Sequence, residues 1–130
     1  MRMKQVSVFV ENRPGRLKVV LEALLAADIN IRALSIADTA DFGIVRMILS
    51  DTEKGLEAIR AAGFAASTND VLRVEIPDRP GGLLSAVVTP LAKAGINLEY
   101  VYAFADNAPN RATVVLKVGD IDAAEKLIGQ

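Results

Sequence analysis

The sequence predicts an α+β chain made of two βαββαβ sandwiches, each an antiparallel sheet with its helices on one face. Three observations carry this. Arg13-Pro14-Gly15-Arg16-Leu17 returns as Arg79-Pro80-Gly81-Gly82-Leu83, 66 residues on. Ala27-Asp28-Ile29-Asn30-Ile31 returns as Ala94-Gly95-Ile96-Asn97-Leu98, 67 residues on. Around both motifs the apolar residues alternate at period two, then recur at helical spacing, in the same order in each half. A repeat of this kind marks a duplicated structural unit. The expected halves are residues 1–69 and 70–130, joined near Ser67-Thr68-Asn69-Asp70.

In the first half, Gln5 to Glu11 alternates, with Val6, Val8 and Val10 on one face and Gln5, Ser7 and Glu11 opposite. Leu17, Val20, Leu21 and Leu24 then recur at i, i+3, i+4 and i+7, which is an amphipathic helix. Ile29 to Ala37 is β-branched and reads as a second strand, Asp38 to Phe42 as a turn, Gly43 to Leu49 as a third strand. Ser50 with Glu53 has capping-box spacing for the next helix, which Gly63 closes, and Phe64 to Thr68 is a short fourth strand. The second half repeats this with Val71 to Pro77, a helix through Leu84, Val87, Val88 and Leu91, then Ile96 to Ala105 and Ala112 to Val118. Asp120 caps a last helix carrying Ala124, Leu127 and Ile128 on its inner side. Pro90 removes a backbone hydrogen bond and should bend its helix, near the extra residue of the second copy. No sequence remains for a fourth strand in the second half. The βαββαβ order is that of a ferredoxin-like sandwich.

Composition removes whole classes of chemistry. The 130 residues include no Cys and no His, so thiolate nucleophiles, imidazole bases and the usual zinc ligands are excluded. Fifteen basic against sixteen acidic side chains give a net charge of −1, which argues against a nucleic-acid surface. No apolar run approaches the roughly 20 residues of a membrane span, and no signal-peptide pattern follows the N-terminal basic residues. The expectation is a cytoplasmic protein with no cofactor, metal, membrane or nucleic-acid partner. Asp38 with Asp41, and Asp120 with Asp122, read as turn and cap residues, since no six-oxygen metal set is visible.

The third strand is apolar on both faces. Val45, Met47 and Leu49 point one way, and Ile44 and Ile48 flank Arg46 on the other. Such a sheet wants a partner on its helix-free side. A homodimer or higher assembly is therefore expected, with Arg46 paired to a carboxylate across an interface, the alternative being that it reaches out to solvent. Tyr100, Tyr102 and Phe104 share one face of a strand. They are expected in the helix-facing core, the alternative being the wall of a ligand pocket.

Glu11-Asn12-Arg13-Pro14-Gly15 and Pro77-Asp78-Arg79-Pro80-Gly81-Gly82 join the first strand of each half to its helix. Gly lets another molecule approach the main chain, and the helix start presents N–H groups at the positive end of its dipole, which suits a carboxylate. Asn12 or Asp78 can accept from an ammonium, and Asn30 and Asn97, opening the next strand, are expected near the same corner. The plainer reading makes all of them caps and turn residues.

Glu-Asn-Arg-Pro-Gly-x-Leu followed after one helix by Ile-Asn-Ile resembles the ACT domain, an amino-acid-sensing regulatory module. The likeness covers Val6 to Thr68 and Val71 to Ile128 as tandem copies, and Ala40-Asp-Phe-Gly-Ile44 and Glu99 to Phe104 also resemble stand-alone tandem-ACT proteins. The resemblance implies an amino-acid effector held at an interface, between the turn of one copy and the second strand of a neighbour. It implies ligand contacts for Asn12, Pro14, Gly15, Arg16 and Leu17 with Asn30 and Ile31. In the second copy the matching set is Asp78, Pro80, Gly81, Gly82 and Leu83 with Asn97 and Leu98. Serine-sensing relatives carry histidine two residues before the turn asparagine. Val10 and Ile76 stand there, so the ligand need not be serine. The expected role is a non-catalytic sensor acting on an enzyme or a transcription factor. The alternatives are a small ferredoxin-like enzyme of the acylphosphatase kind and an oligomerisation module that binds nothing.

Overall fold

The computed structural model describes residues 1–105 and 108–128. Six strands and four helices follow one another as β1 (Arg2–Glu11), α1 (Arg16–Ala26), β2 (Ile31–Asp38), β3 (Phe42–Leu49), α2 (Thr52–Ala61) and β4 (Ala66–Pro77). A π-helical turn (Leu84–Val88) then runs into α3 (Thr89–Lys93), followed by β5 (Leu98–Ala103), β6 (Arg111–Val118) and α4 (Ile121–Ile128). No described helix is long and apolar enough to cross a membrane. The chain divides into two compact units, one of Lys4–Asn69 and one of Met1–Met3 with the chain from Asp70 onward.

In the first unit β3 lies between β2 and β1, antiparallel to both. Val6, Val8 and Val10 of β1 are 0%, 0% and 5% exposed and face the helices with Val45, Met47 and Leu49 of β3. Val20 and Leu24 of α1, and Ile59 of α2, close this core. Each such side chain contributes about 1.5–3 kcal/mol by leaving water. The start of β4 supplies the fourth strand: Phe9 N–H donates to Ala65 O at 3.0 Å, and Gln5 Nε2 donates to Asn69 Oδ1 at 3.1 Å. That bond lets Gln5 lie fully buried rather than on an open polar face. The helix cap differs from the expectation. Asp51, not Ser50, accepts from Lys54 N–H, and the Ser50 hydroxyl accepts from Asn30 N–H at the foot of β2.

The second unit repeats the order, with β6 between β5 and β4. Leu72, Val74 and Ile76 pack with Val114, Leu116 and Val118 beneath Val87, Leu91, Ala124 and Ile128. Leu127 does not join them; it is 45% exposed, because Ala124 and Ile128 define the buried stripe of α4. Residues 1–3, read above with the first half, lie with this unit. Met1 and Arg73 exchange two hydrogen bonds, Arg73 N–H to Met1 O at 2.7 Å and the Met1 ammonium to Arg73 O at 3.0 Å. This segment runs where the missing fourth strand would lie. Arg2 then reaches Asp122 at 2.5 Å, Glu125 at 3.1 Å and Asp70 at 3.9 Å. The hydrogen bond donated to Asp122 and the charges of Glu125, Asp122 and Asp70 raise the guanidinium pKa above its ordinary value, against a desolvation that lowers it.

Pro90 stands directly after an irregular turn of its helix. The preceding turn widens to π geometry, and Thr89 N–H reaches back five residues to Leu84 O. A π-turn absorbs one inserted residue in a helix, and the repeat offset changes from 66 to 67 across this stretch.

The tyrosines face the other way from the expectation. A β-bulge between Leu98 and Tyr100 turns Tyr100 and Tyr102 opposite Lys117 and Val115, onto the helix-free face, while Val101 and Ala103 take the helix side. The two rings stack with centroids 6.4 Å apart, and the Arg73 guanidinium lies 5.2 Å from the Phe104 ring.

Two outcomes follow for stability. A Cβ on Gly82 would lie 2.0 Å from the Pro77 carbonyl oxygen. Gly82→Ala should therefore cost roughly 1–3 kcal/mol in urea unfolding, and a variant as stable as the parent would contradict this packing. Arg2→Gln should lower Tm at low salt and by less in 1 M NaCl, where screening is nearly complete. A deficit independent of salt would show that the charges around Arg2 do not hold the N-terminal segment.

Candidate functional site

Each first strand becomes a helix through a left-handed glycine. Gly15 has φ +85° and Gly81 φ +80°, a region costly for residues that carry a Cβ. The turns are hydrogen-bonded alike: Arg16 N–H to Arg13 O at 3.3 Å matches Gly82 N–H to Arg79 O at 3.0 Å, and Val19 N–H to Gly15 O at 3.3 Å matches Ser85 N–H to Gly81 O at 2.9 Å. Nothing lies within 4 Å of the place a Cβ would take on Gly15 or Gly81. No side chain caps the start of α1. Pro14 and Pro80 are exposed at these turns.

The first corner opens onto a cleft of about 200 Å³. Val10, Leu17, Ile36 and Val45 give it apolar walls, while Glu11, Asn12, Arg13 and Asp38 stand at its polar side and Gly43 lies in its floor. Asn12 is anchored by its N–H to Asp41 O at 2.9 Å, and its side-chain Nδ2 donates to Thr39 O at 3.4 Å, so its Oδ1 is left to accept from elsewhere. Arg16 is committed within the protein. Its Nε lies 3.3 Å from Glu11, which also takes Arg13 at 2.6 Å, and its guanidinium sits 4.9 Å from the Phe64 ring centroid. Neutralised in this way, Glu11 adds little net charge.

At the second corner the Asp78 N–H donates to Asn110 O at 3.0 Å, and its exposed carboxylate makes no bond among the described residues. Gly82 is buried against Pro77, and Leu83 packs on the core as Leu17 does in the first unit.

Asn30 and Asn97 do not reach these corners within their own units. Asn30 exchanges hydrogen bonds with Ser50, and Ile31 pairs with Leu49, whereas Glu11 pairs with Phe42. The eight-residue length of β3 separates them, roughly 26 Å at about 3.3 Å per residue. The helix simply carries the chain back to the far end of the sheet. Asn97 O likewise accepts from Gly119 N–H, and Leu98 pairs with Val118. Asn97 and Leu98 instead line a separate cleft of about 560 Å³ with Val88, Leu91, Gly95 and Ile96.

Sequence reasoning missed Ile36, Asp38 and Gly43 as cleft residues. Their signal was available in the hairpin: Asp38 pairs with Gly43 across a short turn, and a glycine opening a strand marks room beside the backbone.

A family model described as an ACT domain pair matches residues 1–129. A solved structure of a protein from Bacteroides thetaiotaomicron is 40% identical, with 98% of this chain and 86% of that one covered and a TM-score of 0.90. The ligand-free regulatory subunit of aspartate kinase from Thermus thermophilus is 16% identical over 96% of this chain and 87% of that one, with a TM-score of 0.68. Its counterpart from Thermus flavus is 18% identical over 98% and 91%, also at 0.68. These two likenesses are of fold. No protein with a curated description matches. With both copies of the turn and the βαββαβ order in place, the chain belongs to the ACT domain pair family.

Proposed function

We propose that this chain is a non-catalytic regulatory protein that binds an amino acid or a similar small zwitterion at its strand-to-helix corners. The observation that carries the reading is the bare backbone of Gly15 and Gly81, each left-handed and with open space where a side chain would stand. The uncapped helix start holds the carboxylate of the ligand. Asn12 Oδ1, or the carboxylate of Asp78, accepts from its ammonium. Among the described residues neither corner offers a nucleophile or a general base with a partner to activate it, and the chain has no His or Cys.

The assembly we propose is a homodimer or higher. What supports it is the helix-free face of the first unit, where Phe9 and Phe42 are 55% and 51% exposed beside Ile44. Effector binding stabilises the liganded arrangement, and by linkage shifts affinity for a regulated enzyme or transcription factor. The Thermus structures of the same fold are regulatory subunits of an enzyme, and a role of that kind is proposed here.

A thermal-shift screen against the common amino acids tests this reading. At 100 times its Kd an effector adds about 2.7 kcal/mol of stability, a rise of several degrees. In the Gly15→Ala, Gly81→Ala double variant the ligand-dependent rise should vanish, judged against the variant's own Tm. An effector that stabilises this variant equally binds elsewhere, and a screen in which no amino acid raises Tm refutes the sensor. Affinity measured from about pH 6 to 8 should stay within twofold, because no histidine titrates there. A steep change across that range would contradict the contacts proposed.

A further inference from the structure

The two corners are copies in backbone but not in what surrounds them, and the difference selects one of them. In the first unit Asp38 pairs with Gly43, and Gly43 pairs with Val10. These three form one cross-strand row, on the helix side because Val10 is buried there. The middle member has no side chain, so the row holds a gap in place of a methyl or isopropyl group, and this gap is the floor of the cleft. The glycine is not demanded by crowding. A Cβ at position 43 would stand at ordinary contact distances, 3.6 Å from Ala37 O and 3.7 Å from Ile36 Cγ2.

The corresponding row of the second unit is filled. Ile76 pairs with Ala112, and the β5–β6 register, carried on from Ala103 opposite Val114, places Ala105 where Asp38 stands. Ala112 packs against the core, and the helix start is pressed onto Pro77 at Gly82. Charge is also placed differently. The turn residue is neutral Asn12 in the first unit and acidic Asp78 in the second, while the end of the second strand is acidic Asp38 in the first and Ala105 in the second. The carboxylate of Asp38 borders the cleft whose apolar walls are Val10, Leu17, Ile36 and Val45. Glu11 is held by Arg13 and Arg16, and Asp38 makes no ion pair among the described residues.

Resting on the reading above, we infer that the first-unit corner is the effector site, with Asp38 taking the ammonium and the gap over Gly43 taking a branched aliphatic side chain. Val10, Leu17, Ile36 and Val45 supply the apolar walls. Asp38 and Gly43 are then the residues that set specificity, and the chain binds one equivalent of L-valine, L-leucine or L-isoleucine.

The test is calorimetric titration of the full chain with these three amino acids, and with glycine, L-serine and L-lysine. One equivalent of a branched aliphatic amino acid should bind. Asp38→Asn should weaken it by roughly 10- to 100-fold, the loss of one charge-assisted contact. Asp41→Asn, on the same exposed turn, should change affinity less than twofold. Gly43→Ala, which the spacing accommodates without disturbing the fold, should weaken the branched ligand at least tenfold. Circular dichroism and Tm of each variant establish that it is folded. Binding that survives Asp38→Asn but is lost in Asp78→Asn overturns the inference and leaves the sensor reading intact. Binding of serine or lysine in preference to the aliphatic amino acids, or of two equivalents per chain, has the same effect. Failure of every amino acid to bind removes both.

Discussion

A single left-handed residue decides how each unit of this protein is built. At Gly15 and Gly81 the chain leaves the end of a strand and starts a helix in the space of a short turn, with φ near +80°. A side chain there would be strained, so the corner is obliged to be bare, and the helix start is obliged to face outward beside it. The direction of α1 follows from that turn. So does the return of the chain to the far end of the sheet, where β2 begins beside Ser50 rather than beside Asn12. One backbone requirement therefore fixes both where the bare corner lies and which residues of the same unit are kept away from it.

What lies around the corner then decides what it can do. In the first unit the row across the sheet is open at Gly43 and ends on Asp38, and Glu11 holds both Arg13 and Arg16 in ion pairs. In the second unit Ala112 occupies the middle of the row and the helix start lies against Pro77. A duplicated fold has kept its architecture in both copies, and the first copy presents at this corner a cleft with apolar walls and a carboxylate beside them. Affinity for a zwitterion needs a charge, a set of N–H groups and an apolar wall within one small volume, and the first corner gathers these.

Much of this was legible in the sequence. The repeat gave the duplication, and the alternation of Val6, Val8 and Val10 and the spacing of Val20 and Leu24 named the buried faces correctly. The shift of the repeat offset from 66 to 67 falls where the π-turn before Pro90 takes up an extra residue. What escaped depends on register. Period-two reasoning cannot see the bulge after Leu98 that sends Tyr100 and Tyr102 to the helix-free face. It cannot pair Asp38 with Gly43, and so saw a turn aspartate and a strand glycine in place of the two ends of a cleft. Asn30 and Asn97 were placed by their recurrence beside the turn motif, which records duplication rather than proximity. The contact of Arg16 with Phe64 joins residues far apart in sequence and is invisible in the local motif.

The claim on which the account stands is that the strand-to-helix corner is where the effector docks. Amide chemical shifts followed by two-dimensional NMR, as a stabilising amino acid is added to the folded chain, test it most directly. The account predicts the largest shifts at Gly15, Arg16, Leu17 and Gly43, with small ones across the helix-free face. Shifts concentrated on Tyr100, Tyr102 and Phe104, or at the far end of the sheet near Asn30 and Ser50, would contradict it.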